Sequence, residues 1–207
     1  MNTISLITIS FFLFFAFSAK FQLAFSRSSE FVLDREGKLV LPGAEYYVLP
    51  PVSSSGGGGL TFQKTGNSTT STSVLQLNSE GSLGQLVRFN ISAGPIFTGS
   101  ILDIEFVEKP DTVTSSKWTV VYENDNKTTA FVGVGNAEDY PAVKNGIFQI
   151  EKLNKNYKFV FCNNTFSINC TDIGKYNDDK IIGAHPLKLL QSNPIEVTFL
   201  RGTPSRV

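Results

Sequence analysis

The feature that most constrains this chain is a hydrophobic pattern of period two, broken into short runs and sustained almost to the end. Leu102, Ile104 and Phe106 alternate with polar neighbours in residues 100–106, as do Ile195, Val197 and Phe199 in 194–199. Successive side chains on a strand point to opposite faces, so this alternation marks half-buried β-strands. Residues 117–122 and 157–161 are rich in β-branched and aromatic side chains, which pack well on a pleated surface. Beyond residue 26 no segment keeps the 3.6-residue spacing of an amphipathic helix. The expectation is an all-β chain.

Turn residues cut the pattern into three sets of four runs. The first set is 46–49, 60–62, 74–77 and 86–89; the second is 101–106, 118–122, 131–134 and 147–153; the third is 157–161, a weak run at 173–176, 187–190 and 195–200. Twelve strands with weak internal similarity between the sets predict a threefold-pseudosymmetric barrel capped by hairpins, a β-trefoil. A two-sheet sandwich would carry the same strand pattern.

Residues 1–26 differ from the rest. Ile4 to Phe17 is apolar apart from Thr8 and Ser10, which suits the core of a signal peptide and falls short of the roughly 20 residues of a membrane span. Small residues at Ala24 and Ser26 suit cleavage after Ser26, with Ala19 as a second position. A single domain, 27–207, is expected to remain, extracellular or vacuolar and with no membrane segment of its own. Five N-x-[ST] triplets, at Asn67, Asn90, Asn126, Asn163 and Asn169, are glycosylation acceptors in such a chain. Two cysteines, Cys162 and Cys170, are expected to close one short disulfide loop in an oxidising compartment, worth about 2.5 kcal/mol. Free thiols or a metal pair are the alternatives, and zinc would need further ligands where the chain has one histidine, His185.

Function classes can be excluded on charge and motif. The 18 basic and 18 acidic residues are scattered, with no basic face able to neutralise several phosphates, so no nucleic-acid partner is expected. The run Gly56 to Gly59 lacks the Gly-Lys-[Ser/Thr] ending of a phosphate loop and reads as a flexible connection, and residues 133–138 lack the third glycine of a dinucleotide site. No cofactor or metal is expected. Asp103 with Glu105, and Asp178 with Asp179, are carboxylate pairs of the kind usually solvated on strands and turns. His185 has no serine or cysteine nucleophile in a recognisable setting, so no enzyme is expected.

The stretch Val32-Leu33-Asp34-Arg35-Glu36-Gly37-Lys38-Leu39-Val40, followed by Tyr46-Tyr47-Val48, resembles the signature of the plant Kunitz inhibitor family, the soybean trypsin inhibitor type. Gly57-Gly58-Gly59-Leu60, Trp118 and the run from Tyr157 to Cys162 follow in the order that family shows, so the resemblance covers residues 31–201. Asp34 and Gly37 suit a turn, and Tyr46 and Trp118 suit core packing.

The resemblance implies a β-trefoil, in agreement with the independent strand pattern, and an inhibitor that offers a protease an exposed, substrate-like loop. By position that loop is Leu83, Gly84, Gln85, Leu86, Val87, Arg88 and Phe89, with Leu86 at P1 and Val87 at P1′. Leucine there suits the hydrophobic S1 pocket of a chymotrypsin- or subtilisin-like enzyme; a register shifted by two puts Arg88 at P1 and suits trypsin. A papain-like cysteine protease is a further target that the family allows, and a non-inhibitory storage, defence or ligand-binding trefoil is the alternative function. A monomer is expected. The sequence departs from the family at four points. The asparagine that supports the reactive loop falls at Pro42, the cysteines of a second disulfide are missing near 70–73 and 112–113, Gly81 and Gly84 in a shortened loop are expected to loosen it, and a glycan on Asn90 would sit beside its prime side.

Overall fold

A computed structural model describes residues 29–52, 56–65, 72–123, 126–164, 170–178 and 181–202. Among these residues there are twelve strands, four in each third of the chain. The first third holds β1 (Glu45–Leu49), β2 (Leu60–Lys64), β3 (Thr72–Leu77) and β4 (Leu86–Asn90). The second holds β5 (Asp103–Phe106), β6 (Trp118–Tyr122), β7 (Ala130–Val134) and β8 (Ile147–Leu153). The third holds β9 (Asn156–Cys162), β10 (Cys170–Lys175), β11 (Ala184–Leu190) and β12 (Thr198–Arg201).

The outer strands of each third make a closed ring. Strand β1 pairs with β12 on one side and β4 on the other, and β4 pairs with β5. A bridge from Leu102 to Phe148 links the approach to β5 with β8, and β8 pairs with β9 along its whole length. The ring shuts where Tyr157 and Val197 exchange backbone hydrogen bonds of 3.1 and 2.8 Å. The inner strands form three hairpins, β2–β3, β6–β7 and β10–β11. Strands β3, β7 and β11 each pair with the other two, so the hairpins meet in a triangle. Ring and triangle together are the β-trefoil; a two-sheet sandwich has no such closed triangle.

Alternation along the ring strands fills the barrel. Tyr46 and Val48, Val87 and Phe89, Ile104 and Phe106, Ile150, Phe159, Val197 and Phe199 all turn inward and are buried. Phe199 meets Phe89 edge-on at 5.3 Å, and Trp118, at the start of a cap hairpin, meets Phe159 at 5.4 Å. Tilted and edge-on pairs suit the aromatic quadrupole, so the rings add to what their buried area gives. Tyr46 and Trp118 are core residues as expected, and Asp34 makes its turn by accepting 2.9 Å bonds from the Glu36 and Lys38 amides.

Three local features differ from the sequence reading. Strands β10 and β11 start earlier than 173 and 187, because the ladder begins at Cys170 opposite Cys162 and because Ala184, His185 and Pro186 pair with β3. Ile195 and Val197 precede β12 and bond instead to Ile173 and Tyr157. The glycine run is a packed connection rather than a flexible one. Gln76, buried in β3, donates to the Gly56 and Gly58 carbonyls at 3.1 Å, and a Cβ on Gly59 would lie 2.0 Å from the Leu83 oxygen.

Candidate functional site

The stretch expected to carry the reactive bond is mostly strand. Residues 86–90 are β4, held between β1 and β5, with Val87 opposite Tyr46 on one side and Phe106 on the other. Val87 and Phe89 have no exposed surface. A protease cleft takes an extended peptide whose own backbone donors and acceptors are free, and those of β4 are committed to its neighbours. The Leu86–Val87 bond is therefore corrected to a barrel position. Arg88 faces outward but is ion-paired with Glu45 at 2.5 Å, half-buried and within the same ladder, so the shifted register is corrected with it.

The connection before β4 is also fixed. Gln85 donates to Leu60 at 2.7 Å, and Gly84 has φ +74 with room for no Cβ, which would lie 2.1 Å from the Leu60 carbonyl oxygen. Gly84 serves close backbone approach rather than looseness. Of residues 83–89, the side chain that stands exposed is Leu83.

The segment that does stand out is the next one. Ser92, Ala93, Gly94 and Pro95 are exposed, while Ile91 packs against the core. Both ends of this span are anchored. Upstream is buried Phe89, whose carbonyl accepts a 3.0 Å bond from the Gly43 amide; downstream is Ile96, 1% exposed, whose carbonyl accepts the Val32 amide at 3.0 Å. Phe97 then stacks on Phe31 at 4.5 Å, and the Ser100 hydroxyl accepts the Phe97 amide at 3.0 Å. Pro42 lies in the turn that props the base of this span, and the prop is the Gly43 backbone, since a proline side chain has no donor to offer.

Chemically the span offers backbone groups and small side chains. Residues 90–102 contain no charged residue, so electrostatic steering of a partner cannot come from the loop itself. Gly94 has φ +81, a left-handed value that an extended, substrate-like backbone does not adopt. Ile91, Ser92 and Ala93, which precede it, do not share that positive φ. The sequence signal for the span was the cluster Ser92-Ala93-Gly94-Pro95, a run of turn formers between two alternating patterns.

The other side chains singled out are placed as follows. Cys162 and Cys170 form a disulfide between facing positions of β9 and β10, which removes the free-thiol and metal alternatives. Asp103 is ion-paired with Lys117 at 3.6 Å, and Glu105 accepts the Asn90 amide at 3.0 Å. His185 is half-buried in β11 opposite Gln76. Asp179, Asn67 and Asn169 lie outside the described residues, while Asn126 and Asn163 are exposed. Among the described residues no group of three His, Cys, Asp or Glu side chains could hold a metal ion.

Two shifted ionisations belong to the cap hairpins. A hydrogen bond from Lys188, whose side chain is 7% exposed, holds the Glu123 carboxyl below its usual range. Burial pushes the Tyr140 hydroxyl up to about 12, against the pull of its bonds to the Val134 and Thr72 carbonyls.

The family model for legume Kunitz proteins, described as trypsin and protease inhibitor, matches residues 32–201. The Kunitz-type trypsin inhibitor-like 1 protein of Pisum sativum is 38% identical over 209 residues, covering 97% of this chain and 94% of that one. The Kunitz-type elastase inhibitor BrEI of Bauhinia rufa is 37% identical over 130 residues, 59% of this chain and 88% of its own. The crystal structure of a Kunitz type trypsin inhibitor from Cicer arietinum superposes with a TM-score of 0.75 at 36% identity, covering 84% of this chain and 99% of that one.

Proposed function

Since the chain belongs to the legume Kunitz family of trypsin and protease inhibitors, we propose that it inhibits a serine protease by offering residues 91–95 as a substrate-like loop. The observation that carries this reading is the exposed span held between two buried residues, Phe89 and Ile96. A loop fixed at both ends loses little freedom on docking, so more of the contact energy appears as affinity. If the enzyme cuts the loop, both new ends stay tethered to the barrel, which favours resealing over release.

The reactive bond is assigned to Ser92–Ala93. Ala93–Gly94 would place the left-handed residue immediately after the cut, and Ser92 is the first exposed position of the span. A serine at P1 suits a small S1 pocket of the elastase kind better than the deep hydrophobic or acidic ones. The similarity to an elastase inhibitor supports this assignment. A signal peptide at 1–26 and export through the secretory pathway complete the proposal, and the disulfide is consistent with an oxidising compartment.

The test is titration of the protein against pancreatic elastase, chymotrypsin, subtilisin, trypsin and papain, with mass mapping of any slow nick. Elastase inhibition and a nick at Ser92–Ala93 are expected, with trypsin unaffected. A nick in β4 would overturn the loop assignment. Failure against all five at micromolar protein would leave the non-inhibitory trefoil.

A further inference from the structure

Asn90, Ile91 and Ser92 form a glycosylation triplet that runs from the last residue of β4 into the exposed span. Its first residue is the acceptor, and its third supplies the hydroxyl that sugar transfer requires. On the reading above, that same Ser92 is the P1 residue. One short stretch of chain thus serves two enzymes of opposite consequence.

The acceptor is well placed to matter. Two residues of chain separate Asn90 from Ser92, a reach of roughly 7 Å at most. A protease–inhibitor interface covers about 800 Å² on each partner, a patch reaching roughly 16 Å from its centre. Asn90 therefore lies inside the footprint that any docked protease must cover. Its side chain is on the outer face of β4, half-buried, and its amide donates to Glu105 at 3.0 Å.

We infer that an N-linked oligosaccharide on Asn90 switches the adjoining loop off, so that secreted protein divides into a sugar-bearing, silent form and a bare, inhibitory one. The inference rests on the assignment of residues 91–95 as the protease-binding loop. In the transfer step the Asn90 amide nitrogen attacks the anomeric carbon of a polyprenyl-diphosphate-linked oligosaccharide. A carbon–nitrogen bond forms, the bond to the diphosphate breaks, and the nitrogen gives up one proton. One N–H remains on the nitrogen and can still be held by Glu105, which keeps the first sugar beside the loop instead of leaving it on a free side chain.

The fold also sets when this can happen. Asn90 is in the ladder opposite Asp103, and a transferase can reach it only while β4 and β5 are unpaired. Occupancy is then decided by a race between sugar transfer and strand pairing, and a mixture of forms is the result. Asn126 and Asn163, exposed on other connections, are outside this competition.

The experiment is secretion of the full chain from a glycosylating eukaryotic host, separation of the glycoforms, and mass measurement of Asn90 occupancy. Each form is titrated against pancreatic elastase, beside unglycosylated protein from a bacterial periplasm. The form occupied at Asn90 is expected to bind elastase measurably more weakly than the bare one, because the sugar fills space the partner must occupy. An Asn126→Gln/Asn163→Gln variant should show the same ratio. Equal inhibition by occupied and bare forms, or a secreted protein whose Asn90 is never occupied, overturns the inference. If the bare protein inhibits none of the five proteases, the loop assignment itself fails and takes this inference with it.

Discussion

Strand β4 and the span that follows it are consecutive in the chain and share no physical property that bears on binding. Within β4, Val87 and Phe89 have no exposed surface, and the backbone is bonded on both sides. Past Asn90, Ser92 to Pro95 stand exposed between the anchors at Phe89 and Ile96. The strand has the richer sequence, with aliphatic, basic and aromatic residues in turn, and it is scaffold. The span has the plainer one, and it is what a partner can reach. Side-chain richness on a strand is evidence of packing; availability belongs to backbone that has no neighbour to pair with.

This contrast predicts a separation of stability from inhibition, and the largest effect is expected in the strand. Phe89→Ala removes a ring that touches Tyr46, Phe159 and Phe199. It should cost about 3–5 kcal/mol in urea unfolding. A loss below 1 kcal/mol would mean that β4 is not the barrel strand described. Next comes the disulfide, far along the chain in β9 and β10. Its selective reduction should lower stability by about 2.5 kcal/mol and leave the elastase inhibition constant unchanged in the folded protein.

Tyr140→Phe should have a smaller effect, about 1–3 kcal/mol, because the Val134 amide and the Val134 and Thr72 carbonyls lose their common partner. A pH series gives a second readout. The folded value of Tyr140, about 12, lies above its ordinary 10.0. A raised folded value stabilises the protonated form, so the contribution is whole below pH 10 and fades as pH rises toward 12. The variant should lack that alkaline loss. The smallest stability change is expected in the span itself. Ser92→Arg should stay within about 0.5 kcal/mol of the wild type, yet add trypsin inhibition by filling an acidic S1 pocket. Arg88→Ala should leave elastase inhibition unaltered, and a loss of it would return the reactive bond to β4.

Much of the scaffold was legible because a strand writes its burial into every second residue. Ile104 and Phe106, or Val197 and Phe199, announce their inward face without any neighbour being known. The Asp34 turn was legible for a local reason, since its bonds span only a few residues. The position of the protruding span was not, because Leu86, Val87, Arg88 and Phe89 look like a protease substrate and like a strand at once. What separates the two readings is the pairing of β4 with β1 and β5, contacts the sequence does not spell. The same holds for Gly84, whose tightness depends on the Leu60 carbonyl across the fold.

The seam between β1 and β12, where Tyr46 faces Arg201, has a consequence in time. The ring needs a strand that ends at residue 201, so it cannot close before that residue has been made and has left the ribosome. At about 5–20 residues per second, the stretch between β5 and β12 takes roughly 5–20 seconds to make. Through that interval β1, β4 and β5 exist without the partner that completes their barrel, and such long-range pairings are slow to form even afterwards. Until β12 pairs with β1 the ring stays open, and its closure waits on the four residues Thr198–Arg201.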